Sequence, residues 1–302
     1  MTAIPIADSP RTATAGIGLM LASVTLFSFS DAIGKWLVAG FPVGEALLIR
    51  SLVALALVAP FVWRDGIGAF TAAPRPRLQA LRLVLSTAEV VCFFWSVRYL
   101  PLADVITFYL AGPIYVTALA PFVLGERVGW RRWAAVLLGF GGVVLALNPS
   151  GSALTPPALV ALAGSLLYAG LLIVTRVLRT TTNAVLVSSQ IATTALFGLA
   201  VAPFDWVALP PGDFALMVVF GLLGMGGVAC LNMSLKRAPA SVVVPYQYMM
   251  IVWAVVLGLV VFGDAPRAHV LAGAAIIIAA GLFIFFREQG TASPKDKVTF
   301  RP

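Results

Sequence analysis

Residues 112–145 read GPIYVTALAPFVLGERVGWRRWAAVLLGFGGVVL, a stretch that joins two apolar runs through a short basic connection. At their full extent, the runs cover residues 102–124 and 132–148. A helix needs about 20 mainly apolar residues to cross the hydrocarbon core of a bilayer. The stretch therefore predicts two consecutive membrane-spanning helices of opposite direction.

Eight further runs of this kind occupy the rest of the chain. Their connections are short and rich in proline, glycine and charge. We number all ten runs in chain order as segments 1 to 10, at residues 15–39, 44–63, 79–98, 102–124, 132–148, 157–176, 184–203, 213–235, 240–262 and 268–286. The N-terminus lacks the pattern of a cleavable signal, so we expect segment 1 to remain as a first helix. Polar tails are predicted at residues 1–14 and 287–302.

The composition requires an apolar solvent for most side chains. Of the 302 residues, 61% are hydrophobic and 11% are charged, whereas soluble domains carry about 25% charged residues. One protein core could not bury so much apolar surface, so we expect an all-α integral membrane protein in contact with membrane lipid. In a soluble chain a net charge of +8 would suggest nucleic acid as a partner. Here the basic residues fall between apolar runs and indicate topology instead.

The distribution of basic residues predicts the orientation in the membrane. If both termini are cytoplasmic, Arg98 and Arg267 lie in outer connections, while Lys35 and Arg50 lie inside apolar runs. The other sixteen of the 20 lysine and arginine residues then lie on the cytoplasmic side, as the positive-inside rule requires. One helix more or fewer would destroy this asymmetry. We therefore predict ten transmembrane helices in a bacterial inner (plasma) membrane.

An internal repeat relates the two halves of the chain. An offset of 138 residues pairs four positions of like residue type, namely Pro101 with Pro239, Gly125 with Gly263, Glu126 with Asp264 and Cys92 with Cys230. Each copy contains five segments, an odd number, so the second copy must lie inverted relative to the first. Inverted repeats are typical of secondary transporters. We predict two inverted five-helix repeats, at residues 15–148 and 157–286.

The order of these features resembles the EamA family of the drug/metabolite transporter superfamily. The pattern reads RYLPLAD at residues 98–104, followed by the stretch quoted first. The second copy departs from it, because Pro245 stands early in segment 9 and GDAP replaces GER. The resemblance implies a cavity lined mainly by segments 3, 4, 8 and 9, with help from segments 1 and 6. It also implies transport of an organic metabolite.

Charged side chains within the bilayer cost several kcal/mol unless they are paired or hydrated. Asp31 and Lys35 are four residues apart on segment 1, so they share one helix face. Arg50 lies on segment 2, which must be an antiparallel neighbour because the connection is short. The three side chains either form a neutralising network that locks the two helices, or Lys35 or Arg50 binds an anionic part of the solute.

Glu89 lies near the middle of segment 3, and the nearest basic residue on that segment, Arg82, is about two turns away, close to the inner surface. A carboxyl group at that depth could take up and release a proton during transport. The alternative is a permanently neutral carboxyl group hydrogen-bonded to a neighbouring helix.

Polar and aromatic side chains supply the remaining candidates for solute binding. In PYQYMM, residues 245–250 of segment 9, the proline leaves a backbone carbonyl unpaired that can face a cavity. Aromatic residues of membrane helices more often contact lipid or the interface. The candidates on segments that the family places around its cavity are Glu89, Trp95, Tyr109, Asn232, Tyr246 and Gln247.

Chemistry other than transport has little support in the sequence. His269 is the only histidine, and Cys92 and Cys230 lie in separate apolar runs. No HExxH, GxSxG or nucleotide-binding motif is present. We predict no metal, no cofactor and no catalytic residue. The predicted function is alternating-access transport of a small organic solute with an anionic or zwitterionic part, by uptake or efflux, driven by a proton or by exchange. An intramembrane enzyme and a non-transporting scaffold are the alternatives, and the chain is expected to be a monomer or a homodimer.

Overall fold

The computed structural model of the protein describes residues 10–65, 68, 74–123, 130–147, 155–238 and 243–291. These residues form helices and short connections, with no strand among them. The prediction of an all-α protein is therefore confirmed for the part of the chain that is described.

In the described part of the chain, six helices are long and apolar enough to cross a membrane. They are Pro10–Gly40, Val43–Asp65, Pro76–Val97, Pro156–Val177, Asn183–Val201 and Pro211–Arg237, and they correspond to segments 1, 2, 3, 6, 7 and 8. A proline stands in the first turn of segments 3, 6 and 8, where its missing N–H leaves no helical hydrogen bond unmade. Segment 7 begins after Thr182, whose hydroxyl accepts a hydrogen bond from the N–H of Val185 at 3.4 Å.

In the other four segments the apolar stretch of helix is shorter. Segment 5 is the helix Trp130–Leu147 and segment 10 is the helix Ala268–Thr291. Segment 4 consists of Leu102–Tyr109 and Gly112–Val123. Segment 9 is a 3-10 helix, Val244–Tyr248, followed by an α-helix, Met249–Leu257, and a π-helix, Gly258–Phe262.

Segments 4 and 9 were expected as continuous runs, and the structure interrupts both. In segment 4 the interruption falls at Leu110 and Ala111, directly before Gly112 and Pro113. Proline has no N–H to donate to the carbonyl four residues earlier, so the α-helical ladder ends at this point. Pro245 stands in the first turn of the 3-10 helix of segment 9.

The two halves have the same pattern of neighbours. Segment 1 packs along segment 8, segment 3 along segment 6, segment 2 along segment 7, and segment 5 along segment 10. If each segment is replaced by its counterpart in the other half, segment 1 becomes segment 6 and segment 8 becomes segment 3. The pair of segments 1 and 8 is then the pair of segments 6 and 3. The same exchange leaves the other two pairs unchanged.

Glycine brings segments 5 and 10 into backbone contact. A Cβ atom at Gly142 would lie 2.9 Å from the carbonyl oxygen of Gly273, and a Cβ atom at Gly273 would lie 2.6 Å from that of Gly142. Side chains at these positions would push the helices apart, as is typical of small residues at the interfaces of membrane helices. The outer faces of the helices carry exposed Leu137, Leu196 and Val260. A lipid environment removes the cost of that exposure, and the chain is a multi-pass membrane protein.

Candidate functional site

A cavity lies between the two halves at the centre of the helices. With the open space at its mouth it has a volume of about 1130 Å³. Segments 1, 2, 3, 4, 6, 7, 8 and 9 all contribute lining side chains. The structure thus adds segments 2 and 7 to the segments implied by the family resemblance.

One part of the cavity carries three charged groups of mixed sign. Asp31, Arg50 and Glu89 line it from segments 1, 2 and 3 and interact electrostatically with one another. The guanidinium group of Arg50 also lies over the ring of Phe220, 4.6 Å from its centroid, an arrangement that favours a cation. Gly224 makes room for it, because a Cβ atom there would lie 2.6 Å from Nη2 of Arg50.

The interruptions of segments 4 and 9 place polar side chains in the same cavity. Tyr109 ends the first helix of segment 4, and its hydroxyl donates a hydrogen bond to the carbonyl oxygen of Glu89 at 3.2 Å. Gln247 lies in the 3-10 helix of segment 9 and donates from Nε2 to the hydroxyl oxygen of Tyr168 at 2.7 Å. The rings of Tyr109 and Tyr168 are 5.8 Å apart. Tyr109 and Gln247 are 138 residues apart, the offset of the repeat.

Arg82 lies near the start of segment 3, at the end that the sequence predicts to face the cytoplasm. Its side chain is 1% exposed and lines the cavity. It donates hydrogen bonds to four oxygens on segments 6, 7 and 8, namely Thr175 Oγ1 at 3.0 Å, the Leu186 carbonyl at 3.0 Å, Gln190 Oε1 at 2.8 Å and Asn232 Oδ1 at 3.4 Å. Among the described residues, no carboxylate oxygen lies within 4.0 Å of its guanidinium group. A buried cation bound only by neutral acceptors is unusual.

Lys35 belongs to a different part of the molecule. Its Nζ lies 2.5 Å from Oδ2 of Asp264, in the connection between segments 9 and 10, and 4.6 Å from the centroid of the Phe262 ring. Lys35 does not line the cavity that contains Asp31 and Arg50. The three residues of the predicted charge network therefore divide between two locations.

Glu45 joins segment 2 to a distant part of the chain. Its position near the predicted outer interface suggests a hydrated side chain, but the residue is 0% exposed. Its Oε2 accepts a hydrogen bond from the N–H of Val207 at 3.0 Å. The carboxyl group fastens segment 2 to the connection that follows segment 7, a contact between residues far apart in the chain.

The structure brings most of the predicted site residues together. Glu89, Tyr109, Asn232 and Gln247 line the cavity. Trp95 and Tyr246 do not line it. Trp95 packs on Tyr99, with ring centroids 5.1 Å apart, and the partly buried Tyr246 packs against a cluster that includes Met20.

Sequence reasoning missed several lining residues. The sequence places Arg82 on the cytoplasmic side of the membrane, because the residue stands close to the start of its segment. Tyr168, Thr175, Gln190 and Thr194 are polar residues of segments 6 and 7 that also line the cavity. The available signal was that these polar side chains interrupt otherwise apolar helices, where each requires a partner.

Comparison with known proteins gives a family for the chain. The model of the EamA-like transporter family matches twice, at residues 14–148 and 155–286. The chain is also similar over 93% of its length to a protein of known crystal structure, with a TM-score of 0.68 and 17% identity, and covers 99% of that protein. This likeness supports the fold alone.

Three similar proteins have names that describe transport of small molecules. A Rickettsia felis protein named S-adenosylmethionine uptake transporter is 29% identical over 96% of this chain and 99% of its own length. A Rhizobium johnstonii protein named riboflavin transporter is 29% identical over 96% and 97%. A Pseudomonas aeruginosa protein named pseudopaline exporter is 25% identical over 90% and 97%.

Three observations indicate a transporter of small molecules and not an enzyme. They are the double match to one family model, the names of these relatives and the charged cavity between apolar helices. The chain belongs to the EamA-like transporter family.

Proposed function

We propose that the protein is a secondary transporter that carries a small organic solute through the central cavity by alternating access. The observation that carries this proposal is the pair of interrupted segments, 4 and 9, which occupy corresponding positions in the two halves and both line the cavity. Discontinuous helices at corresponding positions are typical of the solute sites of transporters.

The proposed architecture is ten transmembrane helices in two inverted five-helix repeats, at residues 15–148 and 157–286. The matching pattern of neighbours in the two halves supports it, and so does the family model, which matches each half separately. Rocking of one half against the other would open the cavity to each side in turn. We place the protein in a bacterial inner membrane with both termini cytoplasmic, because the basic residues are distributed so unevenly.

The proposed solute is a small organic metabolite with an anionic or zwitterionic part. The cavity offers carboxyl groups, guanidinium groups and aromatic rings together, and these are the groups that bind such solutes. S-adenosylmethionine, which has a carboxylate and two positive groups, is the first candidate, since a similar protein is named for its uptake. Riboflavin, for which another relative is named, is uncharged and serves as a comparison. Uptake and efflux are both represented among these relatives.

Flux into proteoliposomes tests this function directly. The purified chain would be reconstituted and supplied with labelled S-adenosylmethionine, riboflavin and a set of amino acids, with a pH gradient imposed or collapsed. We expect saturable flux of at least one solute above that of protein-free liposomes. Absence of flux for the whole panel, in either direction and under either gradient, would contradict the proposal.

A further inference from the structure

We infer that Arg82 and Asn232 form a receptor for a carboxylate group of the transported solute, at a level of the cavity separate from Asp31 and Arg50. The inference rests on the proposed transport function and specifies the solute class of the same cavity. The two residues come from segments 3 and 8, one from each half of the chain.

Arg82 differs from Lys35 and Arg50 in the partners of its positive charge. Lys35 has Asp264 as its partner, and Arg50 interacts with both Asp31 and Glu89. Within the described parts of the chain, the hydrogen bonds of Arg82 go only to hydroxyl, amide and carbonyl oxygens. A buried charge is costly without an opposite charge nearby, so an anionic group that enters the cavity has most to gain beside Arg82.

Asn232 supplies the second half of the receptor. The residue is 2% exposed and lines the cavity, and its Oδ1 accepts from Arg82. Its Nδ2 is buried and has no hydrogen-bond partner among the residues that the structure describes, a situation that costs free energy until an acceptor arrives. A guanidinium group has five N–H donors, so the four hydrogen bonds that Arg82 makes to described residues leave one N–H on Nη1 unused. Unused donors on two adjacent groups suit the two oxygens of a carboxylate.

The rest of the cavity suits a positive group. Glu89 lies seven residues after Arg82 on the same helix, a separation of about 10 Å along the axis. There a single guanidinium group, that of Arg50, faces two carboxyl groups, and the rings of Tyr109 and Tyr168 lie beside them. Aromatic faces and carboxyl groups together favour a cation. The solute class is therefore a zwitterion, with its carboxylate at Arg82 and its positive group near Glu89.

The test compares solutes with their decarboxylated forms in proteoliposomes. Suitable pairs are S-adenosylmethionine and lysine, each measured against its decarboxylated counterpart. We expect the wild-type protein to transport at least one acid, and to prefer it to its counterpart by about tenfold or more in apparent affinity, because hydrogen bonds to a charged group have that strength.

Asn232→Leu and Asn232→Asp test the receptor without removing Arg82, which holds four segments together. The first variant removes the unpaired amide, and the second places an internal carboxylate beside Arg82. Both should erase most of the preference for the acid, while transport of the decarboxylated form persists or rises. Ser234→Ala is the matched control, because it removes a buried hydrogen bond from the same segment to the carbonyl of Gly16 and should leave the preference unchanged.

The outcomes separate this inference from the proposed function. If solutes are transported but acids and decarboxylated forms are carried equally well, the receptor is wrong and the transporter assignment stands. The same holds if folded Asn232 variants keep the wild-type preference. If no member of the panel or of the wider solute set is carried, both proposals fail together.

Discussion

At the scale of the residue, the hypothesis that a proton drives transport depends on Glu89. Its carboxyl group lines the cavity together with Asp31 and Arg50, so a proton gained or lost there changes the charge that the solute meets. The main chain at Glu89 is held by Tyr109 through its carbonyl oxygen. The backbone of Glu89 is thus held in place, while its side chain meets Asp31 and Arg50 in the cavity.

Glu89→Gln keeps the size of the side chain and removes its ability to ionise. If Glu89 carries a coupling proton, flux in this variant should lose its response to an imposed pH gradient, while equilibrium exchange of solute across the membrane persists. The measurement is proteoliposome flux with and without the gradient. Ser96→Ala is the control, since it removes a hydrogen bond from the same segment to the Pro157 carbonyl. A gradient response equal to wild type in Glu89→Gln would remove Glu89 from coupling.

At this scale, the sequence singles out Glu89, Asn232 and Gln247 because one charged or polar side chain interrupts an apolar run, and the structure places all three at one cavity. The sequence does not single out Arg82 and Tyr168 as cavity residues, because an apolar run does not specify which face of its helix is turned toward the cavity. Lipid and neighbouring helices are both apolar, so the sequence marks the two faces weakly.

At the scale of the element, the ion pair of Lys35 and Asp264 joins segment 1 to the connection after segment 9. The predicted topology puts this contact on the outer side. Opening of the cavity to that side would separate the two residues, so we expect the pair to favour the outward-closed arrangement.

Lys35→Met or Asp264→Asn should increase access from outside. Partly exposed ion pairs contribute up to about 1 kcal/mol, so we expect an increase of about two- to fivefold. The readout is the rate at which an impermeant thiol reagent labels Ser51→Cys, a buried cavity position, in a background without Cys92 and Cys230. The charge-swapped double variant should restore slow labelling. Equal rates in wild type and both single variants would contradict the expectation.

At this scale, the predicted all-α architecture is confirmed for the described residues, six of whose helices are long and apolar enough to cross a membrane. The interruptions of segments 4 and 9 are not predicted. An apolar run is read as one helix because composition is averaged over about 20 residues. Pro113 and Pro245 were the local signals for interruption. The interruptions proved to be the places where these segments contribute Tyr109 and Gln247 to the cavity.

At the scale of the whole molecule, the central claim is that two halves of opposite orientation enclose one cavity. The sequence predicts segment number, charge asymmetry and the repeat, because each depends on composition and spacing. The pairing of segment 1 with segment 8 and of segment 3 with segment 6 could not, since it depends on packing between helices far apart in the chain.

Cysteine labelling of positions 99 and 237 tests this claim most directly, because they are equivalent under the 138-residue offset and both are exposed. Tyr99→Cys and Arg237→Cys would be labelled in intact cells, in the same cysteine-free background, with an impermeant reagent before and after permeabilisation. Inverted halves predict that Tyr99→Cys is labelled in intact cells and Arg237→Cys only after permeabilisation. Labelling of both positions from the same side would contradict the inverted arrangement and the alternating-access mechanism built on it.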